Sequence, residues 1–316
     1  MGRPRGDAAA VTRNEKKQFR AGLFFTSPWI IGLAAFTAYP VIASLYYSFC
    51  DYSILKSPVW CGLENYNQLV HDGLFWKSLR NTLFYAGLSV PLGTIVALGL
   101  AVLLNCEMRG KSMYRLLFFM PSIVPIVASS MLWLWIFNGQ YGLMNGFLNL
   151  FLRPFGLHGP AWLADPAWAK PALIIMSLWS TGNAVVIYLA GLQNVPMELY
   201  EAAEIDGASA WQRFRHITLP TIAPVVTFNA IMALIGAMQL FAQAYIMSEG
   251  ANGNGNASDG NPARSTLFYT IYLFSTAFQD LRMGYASAMA YILFLITACL
   301  TWLAARLSRG SYEDAV

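Results

Sequence analysis

The chain has 316 residues, of which 57% are hydrophobic and only 11% are charged. Soluble domains carry about 25% charged residues, so this composition excludes an ordinary soluble globular protein and indicates a membrane protein. The formal net charge of +4 is modest, and the positions of the charges say more than their sum.

Six apolar segments are long enough to cross a bilayer as helices, which takes about 20 residues each. Every Lys, Arg, Asp and Glu lies outside these segments or at their ends. We therefore predict an all-α membrane protein with six transmembrane helices. The predicted spans are residues 22–49, 83–104, 116–137, 171–193, 222–247 and 285–305.

The distribution of basic residues predicts the orientation of these spans. Residues 1–20 hold six Lys and Arg ahead of an apolar run that is too long for a signal peptide, so we expect an uncleaved first span. With a cytoplasmic N-terminus, the inner segments hold 13 Lys and Arg and the outer loops hold 7. We predict a cytoplasmic tail at 1–21, a membrane domain at 22–310 and a cytoplasmic tail at 311–316.

Residues 196–220 form a charged loop between the fourth and fifth predicted spans. Pro196 suits the first turn of a helix, and Glu198 and Glu201 lie near the positive end of that helix. Gly207 tolerates the left-handed conformation that ends a helix. The pattern predicts a short helix that stops at Gly207.

A second short helix is predicted directly after this turn. Ser209 and Gln212 have the spacing of a capping box, in which side chain and backbone at the two positions bond reciprocally. We expect this second helix to close at Leu219-Pro220. The loop is then a folded element exposed between two spans.

This loop resembles the cytoplasmic signature loop of permease subunits from binding-protein-dependent ABC importers, the EAA motif. The matching positions are Glu201, Ala202, Ala203, Asp206, Gly207, Ala208, Phe214, Ile217, Leu219, Pro220 and Pro224. The resemblance implies the type I ABC importer permease fold and a coupling helix that docks into a groove of an ATPase subunit. It assigns coupling to Glu201, Ala202, Ala203, Asp206 and Gly207.

The outer loops resemble those of sugar-type permeases at residues 46–52, 62–66, 162–166 and 282–286. This likeness implies a carbohydrate solute: an oligosaccharide, a monosaccharide or a polyol-like compound such as glycerol 3-phosphate. The Asn/Gly-rich insert at 251–261 departs from the family pattern and indicates a flexible loop. Cys50 and Cys61 lie in one predicted outer loop, where pairing and two free thiols are both open.

The family resemblance also implies the partners of the chain. We expect a second permease subunit in a heterodimer, two nucleotide-binding ATPase subunits, an external solute-binding protein and membrane lipid, but no nucleic acid. ATP and Mg would lie on the ATPase subunits, so no cofactor and no catalytic residue are expected on this chain.

Side chains at spanning depth indicate the chemistry of a solute path. The three histidines lie in separate loops without metal-ligand spacing, and no carboxylate falls within a predicted span. The neutral amides in the spans are the candidates for contact with solute hydroxyls, although bonding between helices would explain them as well. These candidates are Asn183, Asn229, Gln239 and Gln243.

Two other classes of protein remain as alternatives. An ion-coupled secondary transporter of a small polar solute usually carries ionisable residues within its spans and inverted repeats, and neither is evident here. A membrane enzyme would need a cluster of reactive groups at one surface, and the loops offer none. A neighbouring gene for a second permease with a similar loop would separate these classes.

Overall fold

The structure, a computed structural model, describes residues 13–250 and 260–313. Residues 1–12 and 314–316 of the predicted tails, and residues 251–259 of the predicted insert, lie outside the described residues. The first helix begins at Arg13 and the last ends at Glu313, so helix extends into both segments that the sequence assigns to tails.

The described residues form helices, the segments that connect them and one small hairpin. The helices are α1 (Arg13–Leu33), α2 (Tyr39–Ser48), α3 (Glu64–His71), α4 (Gly73–Asn105), α5 (Lys111–Phe119), α6 (Ile126–Ile136), α7 (Leu143–Leu152), α8 (Pro166–Trp179), α9 (Gly182–Gln193), α10 (Met197–Ile205), α11 (Ala210–Arg213), α12 (Leu219–Met238), α13 (Ala242–Gly250), α14 (Tyr269–Phe274) and α15 (Met283–Glu313). The hairpin pairs β1 (Cys50–Ser53) with β2 (Lys56–Trp60) in antiparallel register. Wider π-helical turns cover Ala34–Ala38, Phe214–Thr218 and Ser275–Gln279, and 3-10 turns cover Met120–Ile123 and Arg153–Phe155.

The six predicted spans correspond one to one with long apolar helices or bent helix pairs. Four continuous helical stretches are long and apolar enough to cross a membrane. They are Lys17–Ser48, Gly73–Asn105, Ala210–Met238 and Met283–Ser308. The other two predicted spans coincide with bent helix pairs, α5 with α6 at 100° and α8 with α9 at 48°.

The fifth crossing differs from its prediction at both ends. The helix begins at Ala210 in the loop and ends at Met238, whereas the sequence predicted a span from 222 to 247. The predicted helix stop at Leu219-Pro220 is therefore wrong. In the π-helical turn before Pro220, the amide of Leu219 bonds to the carbonyl of Phe214, five residues back. Such local widening allows a membrane helix to accept a proline without breaking.

A π-helical turn precedes a proline in the first crossing as well. Pro40 follows the π-helical turn Ala34–Ala38, and the amide of Tyr39 bonds to the carbonyl of Ala34. α1 and α2 therefore form one continuous helix. Within its most apolar 18-residue window no residue is buried in this chain, although α2 packs against α15, where the hydroxyl of Tyr291 donates to the carbonyl of Val41.

Two apolar clusters hold the bundle together. The inner cluster joins α4, α9 and α12, where Ala97 and Ala101 are fully buried and let the helices approach closely. The larger outer cluster joins α4, α8, α14 and α15 around fully buried Phe268 and Tyr269. Polar side chains line part of the space between the two clusters.

The hairpin places the two outer-loop cysteines without joining them. Both are free thiols, and each donates to a backbone carbonyl at 3.4 Å, Cys50 to Tyr46 and Cys61 to Phe49. The buried amide of Asn65 donates to the carbonyls of Ser48 and Cys50, both at 2.9 Å. Backbone and amide hydrogen bonds therefore hold this loop, and no disulfide does.

Asp72 ties the start of α4 to two later elements. Its side chain caps α4 by accepting from the amide of Leu74 at 2.8 Å, and it accepts from the hydroxyls of Tyr272 and Tyr285. Burial alone raises the pKa of this carboxyl, but the hydrogen bonds from the tyrosines and the backbone lower its pKa below the ordinary value.

Replacing Asp72 with Ala tests this junction. We expect the free energy of unfolding to fall by about 1–3 kcal/mol, because two tyrosine hydroxyls lose a charged acceptor. Since the native pKa is lowered, this stability is present above the unfolded pKa and is lost as pH falls toward the native value. Thermal unfolding in detergent at neutral and acidic pH measures it. The exposed Asp51→Ala control should change stability by less than about 0.5 kcal/mol.

Candidate functional site

A cavity of about 360 Å³ lies between the two apolar clusters, at the level where three crossings meet. α4, α8, α9, α12 and α13 contribute side chains to it, together with the breaks between α8 and α9 and between α12 and α13. The polar side chains of its wall are Tyr85, Ser89, Thr94, Ser177, Ser180, Thr181, Asn183, Tyr188, Asn229 and Gln243. Among the described residues that line it, none carries a formal charge at neutral pH.

Several hydroxyls in the wall bond to carbonyls of their own helix. Ser177 donates to Ile174 at 2.7 Å, Ser180 to Ser177 at 3.0 Å and Thr181 to Leu178 at 2.9 Å. A hydroxyl that donates its proton still has lone pairs that accept. These side chains therefore present acceptors to a hydrogen-bonding solute.

Next to the helix break at Ser180-Thr181, the backbones of α9 and α5 approach closely. α9 begins at Gly182, and a Cβ at this position would lie 2.5 Å from the carbonyl oxygen of Phe118 in α5. No larger residue fits there without moving one of the two backbones. The break turns α8 into α9 and places its hydroxyls on the cavity wall.

Three of the four predicted path residues line this cavity. Asn183 is exposed in the wall, and Asn229 and Gln243 are half-buried. The Nδ2 of Asn229 donates to the carbonyl of Val225 at 2.9 Å, which leaves its other proton and its amide oxygen for further bonds. Gly236 lies in the same wall.

Gln239 lies elsewhere. α12 ends at Met238, and Gln239 occupies the end of that helix, where it lines a separate groove of about 680 Å³ between α12 and α15. The sequence argument assumed one helix from Asn229 to Gln243, whereas residues 239–241 are not helical. The structure therefore brings Asn183, Asn229 and Gln243 together and leaves Gln239 out.

Sequence reasoning missed the hydroxyl-bearing part of the wall. Ser180, Thr181 and Gly182 in the middle of an apolar run were the available signal, because small polar residues and glycine mark a broken membrane helix. Ser89 and Thr94 in α4 carried no comparable signal, since isolated hydroxyls are common in membrane helices. Their place in the wall depends on packing against α9 and α12.

The loop at 196–220 forms the second part of the candidate site. α10 runs from Met197 to Ile205, and Gly207 after it has φ of +75°, the left-handed region. The amide of Ala208 bonds to the carbonyl of Ala203 at 2.8 Å, and that of Gly207 to Glu204 at 3.1 Å. These two hydrogen bonds form the Schellman motif, which ends helices at a glycine.

The predicted capping box begins the next helix. The amide of Gln212 donates to the hydroxyl of Ser209 at 3.4 Å, and the amide of Ser209 donates to the side chain of Gln212 at 2.8 Å. α10 and α11 are thus two helices joined by a turn that local bonds define. The prediction of this turn is confirmed.

The outer surface of this loop is open. No residue of α10 is buried, and large apolar side chains stand next to acids on its surface. Ile205 is 88% exposed and Trp211 is 66% exposed. The candidate coupling residues Glu201, Ala202, Asp206 and Gly207 are exposed, and Ala203 is half-buried. A mixed apolar and acidic surface on a well-ordered helix is suited to docking a partner.

A multi-pass helix bundle with a neutral cavity at its helix breaks and an open, ordered loop at one end has the features of a solute transporter. The family model described as "binding-protein-dependent transport system inner membrane component" matches residues 89–311. The chain belongs to this family, and the predicted permease class is confirmed. It is a permease subunit of an ABC importer.

Named relatives and solved structures agree with this assignment. The chain is 40% identical over 298 residues to the probable ABC transporter permease protein YesP of Bacillus subtilis, covering 93% of this chain and 92% of the relative. It is 34% identical over 304 residues to the lactose transport system permease protein LacF of Rhizobium radiobacter, covering 93% and 97%. A chain of a bacterial alginate ABC transporter superposes with a TM-score of 0.81 at 21% identity, covering 96% and 99%, which confirms the predicted fold.

The cavity generates a prediction with a built-in control. Asn229→Leu and Gln243→Leu should each lower solute uptake by about threefold to tenfold, the equivalent of one net hydrogen bond. Gln239→Leu, the same change in the separate groove, should leave uptake near the wild-type rate. Initial uptake rates at equal amounts of membrane-inserted protein measure the effect. Equal losses for all three variants would show that the amides act as glue between helices.

Proposed function

We propose that this chain forms half of the translocation path for a neutral carbohydrate in an ATP-driven, binding-protein-dependent importer. The second half comes from another permease subunit, and ATP with Mg is bound and hydrolysed on two separate ATPase subunits. An external binding protein delivers the solute. The observation that carries the proposal is the cavity lined by hydroxyls and amides without a formal charge.

The chemistry of the cavity narrows the solute class. Neutral amides, tyrosines and serine or threonine hydroxyls match the donors and acceptors of sugar hydroxyl groups. A phosphate-bearing polyol would enter a site without a cation among its described lining residues, so we favour a neutral mono- or oligosaccharide. The relative LacF, named as a lactose permease, supports this class.

The loop surface is the proposed docking site for an ATPase subunit. Exposed Ile205 and Trp211 supply apolar area, and exposed Glu201 and Asp206 supply charge. Buried apolar contacts provide affinity, while the acids provide orientation and specificity. α10 and its glycine stop place Glu201, Ile205 and Asp206, and α11 places Trp211.

The proposed second permease subunit accounts for the first crossing. Within lipid, a helix gains no hydrophobic free energy by packing against other helices. Its position in the bundle is therefore set by specific packing contacts and hydrogen bonds. In this crossing α2 packs against α15, whereas no residue of the most apolar 18-residue window is buried within this chain. A partner subunit that covers this helix completes the bundle.

We infer that the loop at 196–220 and both chain ends face the cytoplasm of a bacterial inner membrane, because the segments on that side together hold 13 Lys and Arg against 7 on the other. In a background without native cysteines, Ile205→Cys should react with a membrane-impermeant maleimide only from the inside, and Tyr141→Cys only from the outside. Both positions are exposed in the structure. Labelling with the opposite sidedness would overturn the orientation.

The alternative is an ion-coupled transporter, and the side chains that line the cavity do not favour ion binding. Ion-coupled sites usually place an ionisable side chain or exposed carbonyls at the ion, and the described wall holds neutral side chains. The family assignment also favours ATP as the energy source. The two mechanisms differ in a direct test.

The test is purification of the chain from its native membrane through an affinity tag. We expect a second permease and two copies of an ATPase subunit to co-purify, and vesicles holding the complex to take up a sugar when ATP is enclosed with them. The solute is identified from the ligand that the external binding protein retains. Uptake that follows an ion gradient without ATP would contradict the proposal.

The turn at Gly207 gives a sharper prediction about docking. A Cβ at Gly207 meets nothing within 4 Å, so only the backbone conformation penalises a side chain there. Gly207→Val should cost roughly 1–2 kcal/mol in the left-handed conformation and tilt α10, lowering ATPase retention severalfold. Gly207→Asn should retain more, because asparagine tolerates this conformation. Gly87→Val, at an equally open helical position, is the matched control.

A further inference from the structure

One side-chain contact connects α10 to the crossing that follows it. The hydroxyl of Tyr200 lies 2.7 Å from the Oγ1 of Thr218. Thr218 is 5% exposed, and its Oγ1 also contacts the carbonyl of Arg213 at 3.4 Å. A threonine hydroxyl has one proton, so when it donates to Arg213 the tyrosine hydroxyl donates to Thr218.

The only ion pair among the described residues spans the same junction, but it is weaker. Arg213 and Glu204 approach to 3.4 Å, and the Glu204 side chain is 74% exposed. Exposed pairs of this kind contribute from nothing to about 1 kcal/mol and are screened by salt. The Tyr200 contact is better shielded, because its ring packs against the inner apolar cluster.

Little else fixes α10 to the bundle. A pocket of about 280 Å³ separates it from the end of α4, and Tyr200, Arg213 and Thr218 lie in the wall of that pocket. The connection from α10 to α11 is the exposed turn at Gly207, which is held by hydrogen bonds within residues 203–212. The hydroxyl pair therefore decides whether α10 pivots on the turn or moves with the next helix.

That next helix reaches the cavity without interruption. From Ala210 to Met238 it is one continuous stretch of 29 residues, with the π-helical turn inside it. At 1.5 Å per residue, the 19 residues from Ala210 to Asn229 span about 29 Å. A displacement at the loop is thereby carried to Asn229 and Gly236 in the cavity wall.

We propose that the Tyr200–Thr218 hydrogen bond locks α10 to the helix Ala210–Met238, so that the loop and the cavity wall move as one rigid body. Tyr200 and Thr218 are positioning residues, since neither is placed against solute or nucleotide. The inference rests on the proposed coupling function. It assigns transmission to a contact outside the residues that the EAA motif marks.

Three single changes isolate the bond. Tyr200→Phe and Thr218→Val remove one hydroxyl each with little change in shape, and Thr218→Ser keeps the hydroxyl. Sugar taken up per ATP hydrolysed should fall by about threefold to tenfold in the first two variants and recover in Thr218→Ser. The double variant should be no worse than either single one. Tyr141→Phe, an exposed tyrosine at the opposite end, is the control.

A distance measurement separates transmission from simple destabilisation. Nitroxide labels at the exposed positions 197 and 228 report the geometry between α10 and the helix, in the tagged complex without nucleotide and with ATP and vanadate. The proposal expects one unchanged distance in the wild type and a shifted or broadened one in Tyr200→Phe with nucleotide. A shift in the wild type, or no difference between the two proteins, would overturn it.

The failure of this inference is distinct from that of the proposed function. If no ATPase subunit co-purifies with the wild-type chain, the coupling function itself is wrong. If the subunits co-purify and Tyr200→Phe imports as much sugar per ATP as the wild type, only the locking role of this bond is wrong.

Discussion

The requirement that backbone groups find partners inside a bilayer shapes the centre of this molecule. A helix break in lipid exposes amides and carbonyls at a cost of several kcal/mol each, so breaks are tolerated only where protein or water satisfies them. Two breaks, at Ser180-Thr181 and at residues 239–241, lie at the cavity wall. The hydroxyls of Ser177, Ser180 and Thr181 bond to carbonyls near the first break.

This constraint explains why the break and the polar cavity coincide. The side chains that satisfy the interrupted backbone are also those that line the space between the two apolar clusters. Hydroxyls serve both purposes, because a group that donates to a carbonyl still accepts from a solute. A charged side chain there would cost far more and would select a different class of solute.

The sequence predicted the six crossings and the loop geometry because both depend on local chemistry. Length and apolarity define a crossing, and the stop at Gly207 and the cap at Ser209 each need only a few neighbouring residues. The identification of the loop rested on the same residues. The crossings and the loop turn are therefore determined by neighbouring residues in the sequence, whereas the contacts between them are seen only in the structure.

The wrong predictions have one physical cause. Whether a membrane helix continues past a proline or ends beside a cavity depends on the residues packed around it, which the local sequence does not specify. Pro220 was interpreted as a stop, but a π-helical turn lets the helix continue through it. Gln239 was placed with Gln243 by ideal periodicity, but the helix ends between them. The Tyr200–Thr218 contact joins residues 18 positions apart in different helices, so the local sequence does not predict it.

The central claim is that this chain carries a motion from an ATPase-bound loop to a neutral solute cavity. The most direct measurement is a cryo-electron microscopy structure of the tagged complex trapped with ATP and vanadate. We expect α10 and Trp211 to contact an ATPase subunit, and the cavity with Asn229 and Gln243 to face the second permease. A cavity that faces lipid, or a loop that lies free of the ATPase, would contradict it.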